Sequence, residues 1–249
     1  QACAGSLGPI IPPSLTMIIY CSLTGLSIGE CFMAGVIPGL IIGLGVAVVT
    51  YFYARRLGIK GDERVPYRER LTAIKDGILA IIMPLIIIGG IVSGIFTPTE
   101  SGAIAVIYAL VIGMFVYKEF TYRELPRIFL KAASMTGMAL LIVAGASIFS
   151  WLVAYEKFPK MIITFLTGLT DNKYVIMMLL VLFLLFVGMF IETLSATIIC
   201  APILMPVAAQ YGIDPIQFAL IMVITLVYAG VTPPVGGVLF ITMGIAKAK

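Results

Sequence analysis

Two proline-paired breaks interrupt otherwise charge-free apolar stretches. One runs Gly5-Ser6-Leu7-Gly8-Pro9-Ile10-Ile11-Pro12-Pro13-Ser14, the other Gly230-Val231-Thr232-Pro233-Pro234-Val235-Gly236-Gly237. Proline has no N–H and clashes with the preceding helical turn, so neither stretch continues as α-helix. Unpaired backbone costs several kcal/mol per group in hydrocarbon, unless it faces protein or a wet cavity. A pair of interrupted helices in one membrane chain points to a central solute site.

The chain of 249 residues is 61% hydrophobic and only 11% charged. Soluble domains carry about a quarter charged residues, so this composition is that of an integral membrane protein. The absence of histidine excludes a histidine proton relay or a histidine-ligated metal. Cys3, Cys21, Cys31 and Cys200 show no CxxC spacing and read as buried apolar fillers. The net charge of +4 is carried in loops, which reports membrane topology and not nucleic-acid binding. The chain opens at Gln1 inside a helical stretch, without Met or a polar leader. The expectation is therefore the C-terminal part of a longer protein.

The fold class expected is an all-α polytopic membrane protein. A spanning helix needs roughly 20 apolar residues. Residues 1–30 read as the unwound region and second half of a first broken helix. Residues 31–131 read as spans at 31–53, 78–96 and 101–117, with arm-like amphipathic segments at 62–77 and 121–131. Residues 132–173 give a further span, to 154, and a connector. Residues 174–211 form a re-entrant hairpin: apolar helices 174–191 and 197–210 around the polar tip Glu192-Thr193-Leu194-Ser195-Ala196, the second helix being shorter than a span. Residues 212–249 form a second helix, broken at 231–237.

Charge parity orients these pieces. With the basic 55–75 loop in the cytoplasm, the successive spans place 118–131 inside and 155–173 outside. Arg123, Arg127 and Lys131 then land inside. Lys157, Lys160 and Lys173 land outside, against the rule, partly offset by Glu156 and Asp171. The two broken helices come out antiparallel, as an inverted repeat requires.

Thr97-Pro98-Thr99-Glu100 reads as a helix start with a capping box, and Asp214-Pro215 as another. Gly39-xxx-Gly43 and Gly90-xxx-Gly94 are packing signals. Glu192 is the acidic residue at membrane depth. It is either a site residue or the cap of the second hairpin helix. Helix N-termini offer free N–H groups to an anion. Helix C-termini offer carbonyls to Na⁺, and Thr193, Ser195, Thr197 and Thr232 add hydroxyl oxygens. Hard cations take such oxygen ligands.

At these residues the chain resembles the large membrane subunit of tripartite ATP-independent periplasmic (TRAP) transporters. The matching strings are GSLGPIIPPSLTMIIY (5–20), GGIVSGIFTPTESGAIAVIYAL (89–110), GMFIETLSATIICAPILMP (188–206) and VTPPVGGVLF (231–240). The resemblance implies an inverted-repeat, elevator-type carrier in the bacterial inner membrane, driven by a Na⁺ gradient. It implies a small organic anion as substrate, such as a C4-dicarboxylate or sialic acid, delivered by a periplasmic binding protein. A small membrane subunit accompanies the large one, and no cofactor beyond the coupling ion is implied. The first hairpin of the family would precede Gln1. The tip reads Glu192-Thr193-Leu194 where the family often has Asp-Pro-Thr. Substrate contacts are then expected from Ser6, Pro13, Ser14, Glu192, Thr193 and Pro234. Na⁺ contacts are expected from Gly5, Ser6, Gly8, Thr193, Ser195, Gly230 and Thr232. The competing readings are a proton-coupled carrier using Glu192 and a passive channel or structural subunit. A membrane-embedded enzyme lacks paired carboxylates or a Ser–Lys pair at depth.

Overall fold

A computed structural model describes residues 2–58, 66–168, 170–234, 236, 238–239 and 242. Helices dominate them: α1 (Ala2–Gly5), α2 (Leu15–Thr24), α3 (Ile28–Arg56), α4 (Tyr67–Val92), α5 (Pro98–Val111), α6 (Leu125–Tyr155), α7 (Phe158–Thr167), α8 (Lys173–Phe190), α9 (Thr193–Gln210) and α10 (Pro215–Ala229). Among the described residues, five helical segments are long and apolar enough to cross a membrane. Many of their large side chains are exposed, such as Leu44 of α3, Val106 of α5 and Leu141 of α6. A bilayer, not water, is the solvent that suits such a surface.

The chain divides into two compact units, Gln1–Leu40 with Met135–Lys249, and Ile41–Ser134. In the second unit α4 packs on α5. A Cβ on Gly90 would lie 2.9 Å from Ser101 Oγ, so this glycine sets the approach of the two helices. The capping box at the start of α5 is complete. Glu100 accepts from Thr97 N at 2.8 Å, and Thr97 Oγ1 accepts from Glu100 N at 3.3 Å.

The first unit is built on α8, α9 and α10. Ile176, Leu180 and Leu184 recur every fourth residue on α8 and are buried. Phe218, Met222 and Leu226 do the same on α10. This spacing lays one apolar stripe down each helix. At the end of the α8 stripe a Cβ on Gly188 would come within 2.6 Å of Ala229 Cβ. The last turns of α8 and α10 therefore touch, and the two helices run side by side in the same direction. Helix α9 runs back from one to the other. Its turn into α10 uses Gly212 at φ 68°, a left-handed position that suits glycine. Asp214 caps α10, accepting from Ile216 N and Gln217 N at 2.9 Å.

Several extents differ from the sequence expectations. Helix α4 starts at Tyr67 and α6 at Leu125. From Tyr67 and from Leu125 on, the arm-like segments thus run without interruption into the apolar stretches that follow, because nothing at these junctions breaks a helix. Residues 59–65 lie outside the described residues. The connector 155–173 contains a further helix, α7. The second hairpin helix begins at Thr193, not at 197, and has 18 residues. It rises about 27 Å, close to the ~30 Å of a hydrocarbon core. Shortness therefore gives no argument for re-entry. The close-packed glycines of α3 are Gly35 and Gly39, one turn before the expected pair. A Cβ on Gly39 would lie 2.7 Å from Ile11 Cγ1, and one on Gly35 3.4 Å from the Ile10 carbonyl oxygen.

Candidate functional site

The first break is a run of turns locked by its own polar groups. Ile11 N donates to Leu7 O at 2.9 Å, and the buried Ser6 hydroxyl donates to Ala2 O at 3.0 Å. Ser14, also buried, is the N-cap of α2. Its hydroxyl donates to Pro9 O and accepts from Met17 N at 3.3 Å. Ile10 is fully buried and sits over the small surface at Gly35. The missing Cβ atoms of α3 thus make room for non-helical backbone. The Pro12–Pro13 peptide is cis, as is Pro233–Pro234 in the second break.

The hairpin tip is tighter than its polar composition suggests. Ile191 N donates back to Val187 O at 3.0 Å, closing α8. Glu192 then caps α9, its carboxylate accepting from Leu194 N at 3.0 Å, Ser195 N at 3.1 Å and Ser195 Oγ at 3.4 Å. A carboxylate here satisfies two orphan donors and lies at the positive end of the helix. Of the two sequence readings, capping is the one whose contacts are present. Glu192 is exposed nonetheless, so the cap does not exclude a solute. The Thr197 hydroxyl, buried one turn on, donates to Thr193 O at 2.8 Å.

The second break follows α10 directly. Val231 N and Thr232 N donate to Tyr228 O and Ala229 O, and Val238 N donates to Gly230 O at 3.1 Å. The Thr232 hydroxyl turns back to Tyr228 O at 3.1 Å. Residues 235, 237, 240–241 and 243–249 lie outside the described residues.

Thr193 joins the tip to this break. Its hydroxyl lies 3.5 Å from the Leu226 carbonyl oxygen of α10, at the outer edge of hydrogen bonding, and 3.6 Å from a Cβ placed on Gly230. On the other side Leu194 lines a groove of about 540 Å³ with Leu15 and Ile19 of α2 and Ala139 and Val143 of α6. The tip thus lies against the last turn of α10, and it shares the groove with one side of α2 from Leu15 to Leu23. The end of α10 offers carbonyls there, the Leu226 carbonyl among them.

Not every candidate converges. Thr193 and Gly230 are neighbours, and Glu192 and Ser195 bond each other. The hydroxyls of Ser195 and Thr232 make their hydrogen bonds within their own turns. Gly5 has open space where a Cβ would go, and Gly8 touches only Gly5 O at 3.6 Å. Ser6 and Ser14 are engaged inside the first break, and Pro13 and Pro234 belong to its cis pair and that of the second. Two participants escaped the sequence reading. Leu226 contributes a carbonyl, which no side-chain pattern reveals. Tyr228 carries a buried hydroxyl with no hydrogen-bond partner among the described residues. It stands two residues before Gly230, where a lone phenol in an apolar run was a legible signal.

Comparisons with known proteins identify the family. The family described as "Tripartite ATP-independent periplasmic transporter, DctM component" matches residues 1–249. The sialic acid TRAP transporter large permease protein SiaM of Vibrio cholerae is 37% identical over 235 residues, covering 94% of this chain and 55% of that protein. The C4-dicarboxylate TRAP transporter large permease protein DctM of Pseudomonas aeruginosa is 38% identical over 242 residues, covering 97% and 57%. The 2,3-diketo-L-gulonate TRAP transporter large permease protein YiaN of Escherichia coli is 36% identical over 248 residues, covering 100% and 58%. The chain thus spans a little over half the length of these curated relatives. A family match along its whole length, relatives above 30% identity and helices of membrane-spanning length identify it as a bacterial inner-membrane protein that belongs to the DctM component family of tripartite ATP-independent periplasmic transporters.

Proposed function

We propose that the chain supplies part of the transport unit of a Na⁺-coupled secondary carrier for a small organic anion. The transporter works as an elevator built on an inverted repeat. A periplasmic binding protein delivers the substrate, and a small membrane subunit completes the assembly. The observation that carries the reading is the meeting of the Thr193 hydroxyl at the hairpin tip with the α10 C-terminus. The three reported relatives are named for acids, and an anion suits the N–H ends of α2 and α9. Substrate contacts fall to Ser14 and Thr193 at these ends, with Ser6, Pro13, Glu192 and Pro234 around them. The cation falls to the Thr193 hydroxyl and the carbonyls at the end of α10 near Gly230. Ser195, Thr232 and the first-break residues Gly5, Ser6 and Gly8 complete the oxygen set after local rearrangement. Several oxygens are needed, because desolvating an ion is otherwise too costly.

Proton coupling is the second reading, and Glu192 favours it. Its carboxylate occupies the α9 N–H groups that an anionic substrate would use. Protonation would weaken that cap and lower the charge facing the substrate. Uptake by the full-length transporter in proteoliposomes, with its binding protein, separates the two. A sodium gradient at clamped pH drives accumulation under the first reading. Accumulation that ignores Na⁺ and collapses with the pH gradient overturns it.

A further inference from the structure

Helix α7 and its flanks carry features that solute transport leaves unused. The helix has 10 residues and rises about 15 Å, half the thickness of a hydrocarbon core. One face is committed to the protein: Leu166 is buried, and Ile162 and Ile163 pack against the core of the first unit. The opposite face is open. Lys157, Met161 and Phe165 follow one another at intervals of four and form one line along the helix. Lys160 and Thr164 form the next. Together these five residues line a groove of about 560 Å³. Met161 and Phe165 are 62% and 69% exposed, beside two exposed ammonium groups. An exposed thioether and phenyl beside lysines are the pattern of a helix lying in a membrane interface.

The flanks mark the level independently. Trp151, the one tryptophan of the chain, stacks on Tyr155 with ring centroids 5.4 Å apart, in the last turn of α6. Both rings are more than 60% exposed. Just after α7 the Lys173 ammonium lies 5.2 Å from the centroid of the exposed Tyr174 ring. Exposed tryptophan and tyrosine collect at the headgroup level of a bilayer. Aromatic anchors therefore bracket α7 on both sides. Lys157, Lys160 and Lys173 are also the basic residues that broke the charge-parity rule, and Glu156 and Asp171 offset only two of them.

We infer that α7 lies in the headgroup layer and that Lys157 and Lys160 hold the phosphate of an anionic phospholipid. An acyl chain of this lipid lies along Met161 and Phe165. Two ammonium groups one turn apart match a phosphodiester charge, and the apolar line beside them continues the lipid. A zwitterionic lipid brings its own ammonium group to the same place and binds less well. Basic residues near an anionic surface act in this way.

Native mass spectrometry tests the site on the full-length transporter with its small subunit, delipidated in mild detergent. The titrants are phosphatidylglycerol, phosphatidylcholine and inorganic phosphate. The wild type should retain phosphatidylglycerol under activation that strips phosphatidylcholine. Lys157→Gln with Lys160→Gln should lower phosphatidylglycerol affinity about 30-fold and leave phosphatidylcholine binding unchanged. Lys157→Arg with Lys160→Arg should keep the wild-type affinity. An unchanged thermal midpoint in phosphatidylcholine certifies that the Gln variant is folded. Equal phosphatidylglycerol retention by the wild type and that folded variant would overturn the proposal. So would displacement of the lipid by millimolar inorganic phosphate, which would make the groove a free-anion site. Loss of binding-protein association with lipid retention intact would do the same, making this face a protein-docking surface.

Discussion

Thr193 does two jobs with few atoms. Its backbone opens α9 under the Glu192 cap, and its hydroxyl leans on the carbonyl of Leu226. Thr193→Val keeps the shape and removes the oxygen. If Na⁺ binds at the end of α10, the apparent Na⁺ affinity of uptake should fall about 3- to 10-fold, the worth of one ~1 kcal/mol polar contact. Protein yield and assembly should stay normal. Unchanged Na⁺ dependence in a Na⁺ titration of transport would remove Thr193 from the ion site. Glu192→Gln asks a different question. The amide oxygen still accepts from Leu194 N and Ser195 N, so the helix start survives with a weaker cap, at a cost below the ~1 kcal/mol of losing one outright. Na⁺-driven uptake should persist in this variant. Its abolition, with the protein folded, would transfer coupling to a proton on Glu192. The sequence left Glu192 poised between cap and site because both need the same residue at the same place. Only the two N–H contacts distinguish the cap, and they depend on where α9 begins.

The helices α8 and α10 come together because both present apolar residues every fourth position, and Gly188 lets their last turns touch. That contact places the tip against the second break. Gly188→Val puts branched carbons where even one Cβ meets Ala229 at 2.6 Å. Overpacking of this kind costs about 1–3 kcal/mol. Here it should also push Thr193 away from Leu226. Transport should drop more steeply than thermal stability, as uptake rates and melting of the purified transporter would show. A variant as active as wild type would mean that the tip reaches the break by another route. The proline breaks, the α5 capping box and the Asp214 cap were all legible, because each rests on chemistry within four residues. Helix α7 was not, since ten residues with a lysine and a proline, entered from Lys157, read as a loop until a core exists for Ile162, Ile163 and Leu166. The starts of α4 and α6 were missed for a related reason. Charged residues mark where a chain leaves hydrocarbon, but lysine, arginine and glutamate are good helix formers and do not end a helix there. Gly35 was passed over because its partner is the backbone of the first break, which no periodicity announces.

At the scale of the whole molecule, length constrains topology. Helix α6 is an unbroken run of 31 residues and rises about 46 Å. That exceeds the ~30 Å hydrocarbon core with room for both headgroup layers. If it crosses within the usual range of tilt, its two ends lie on opposite sides of the membrane. Arg123 and Arg127 stand at one end, and Trp151, Tyr155 and Lys157 at the other. Basic residues favour the cytoplasmic side, and seven arginines and lysines between Arg55 and Lys75 weigh in the same direction. The end at Arg123 should then be cytoplasmic, with α7 in the periplasmic headgroup layer. Single cysteines at Arg123 and at Lys160, in an otherwise cysteine-free transporter, test this with a membrane-impermeant maleimide on intact cells. Arg123→Cys should label only after the membrane is opened, whereas Lys160→Cys should label from outside. The reverse pattern would invert the whole chain. Labelling of both from one side would show that α6 does not cross, and the charge parity of every later span would fall with it.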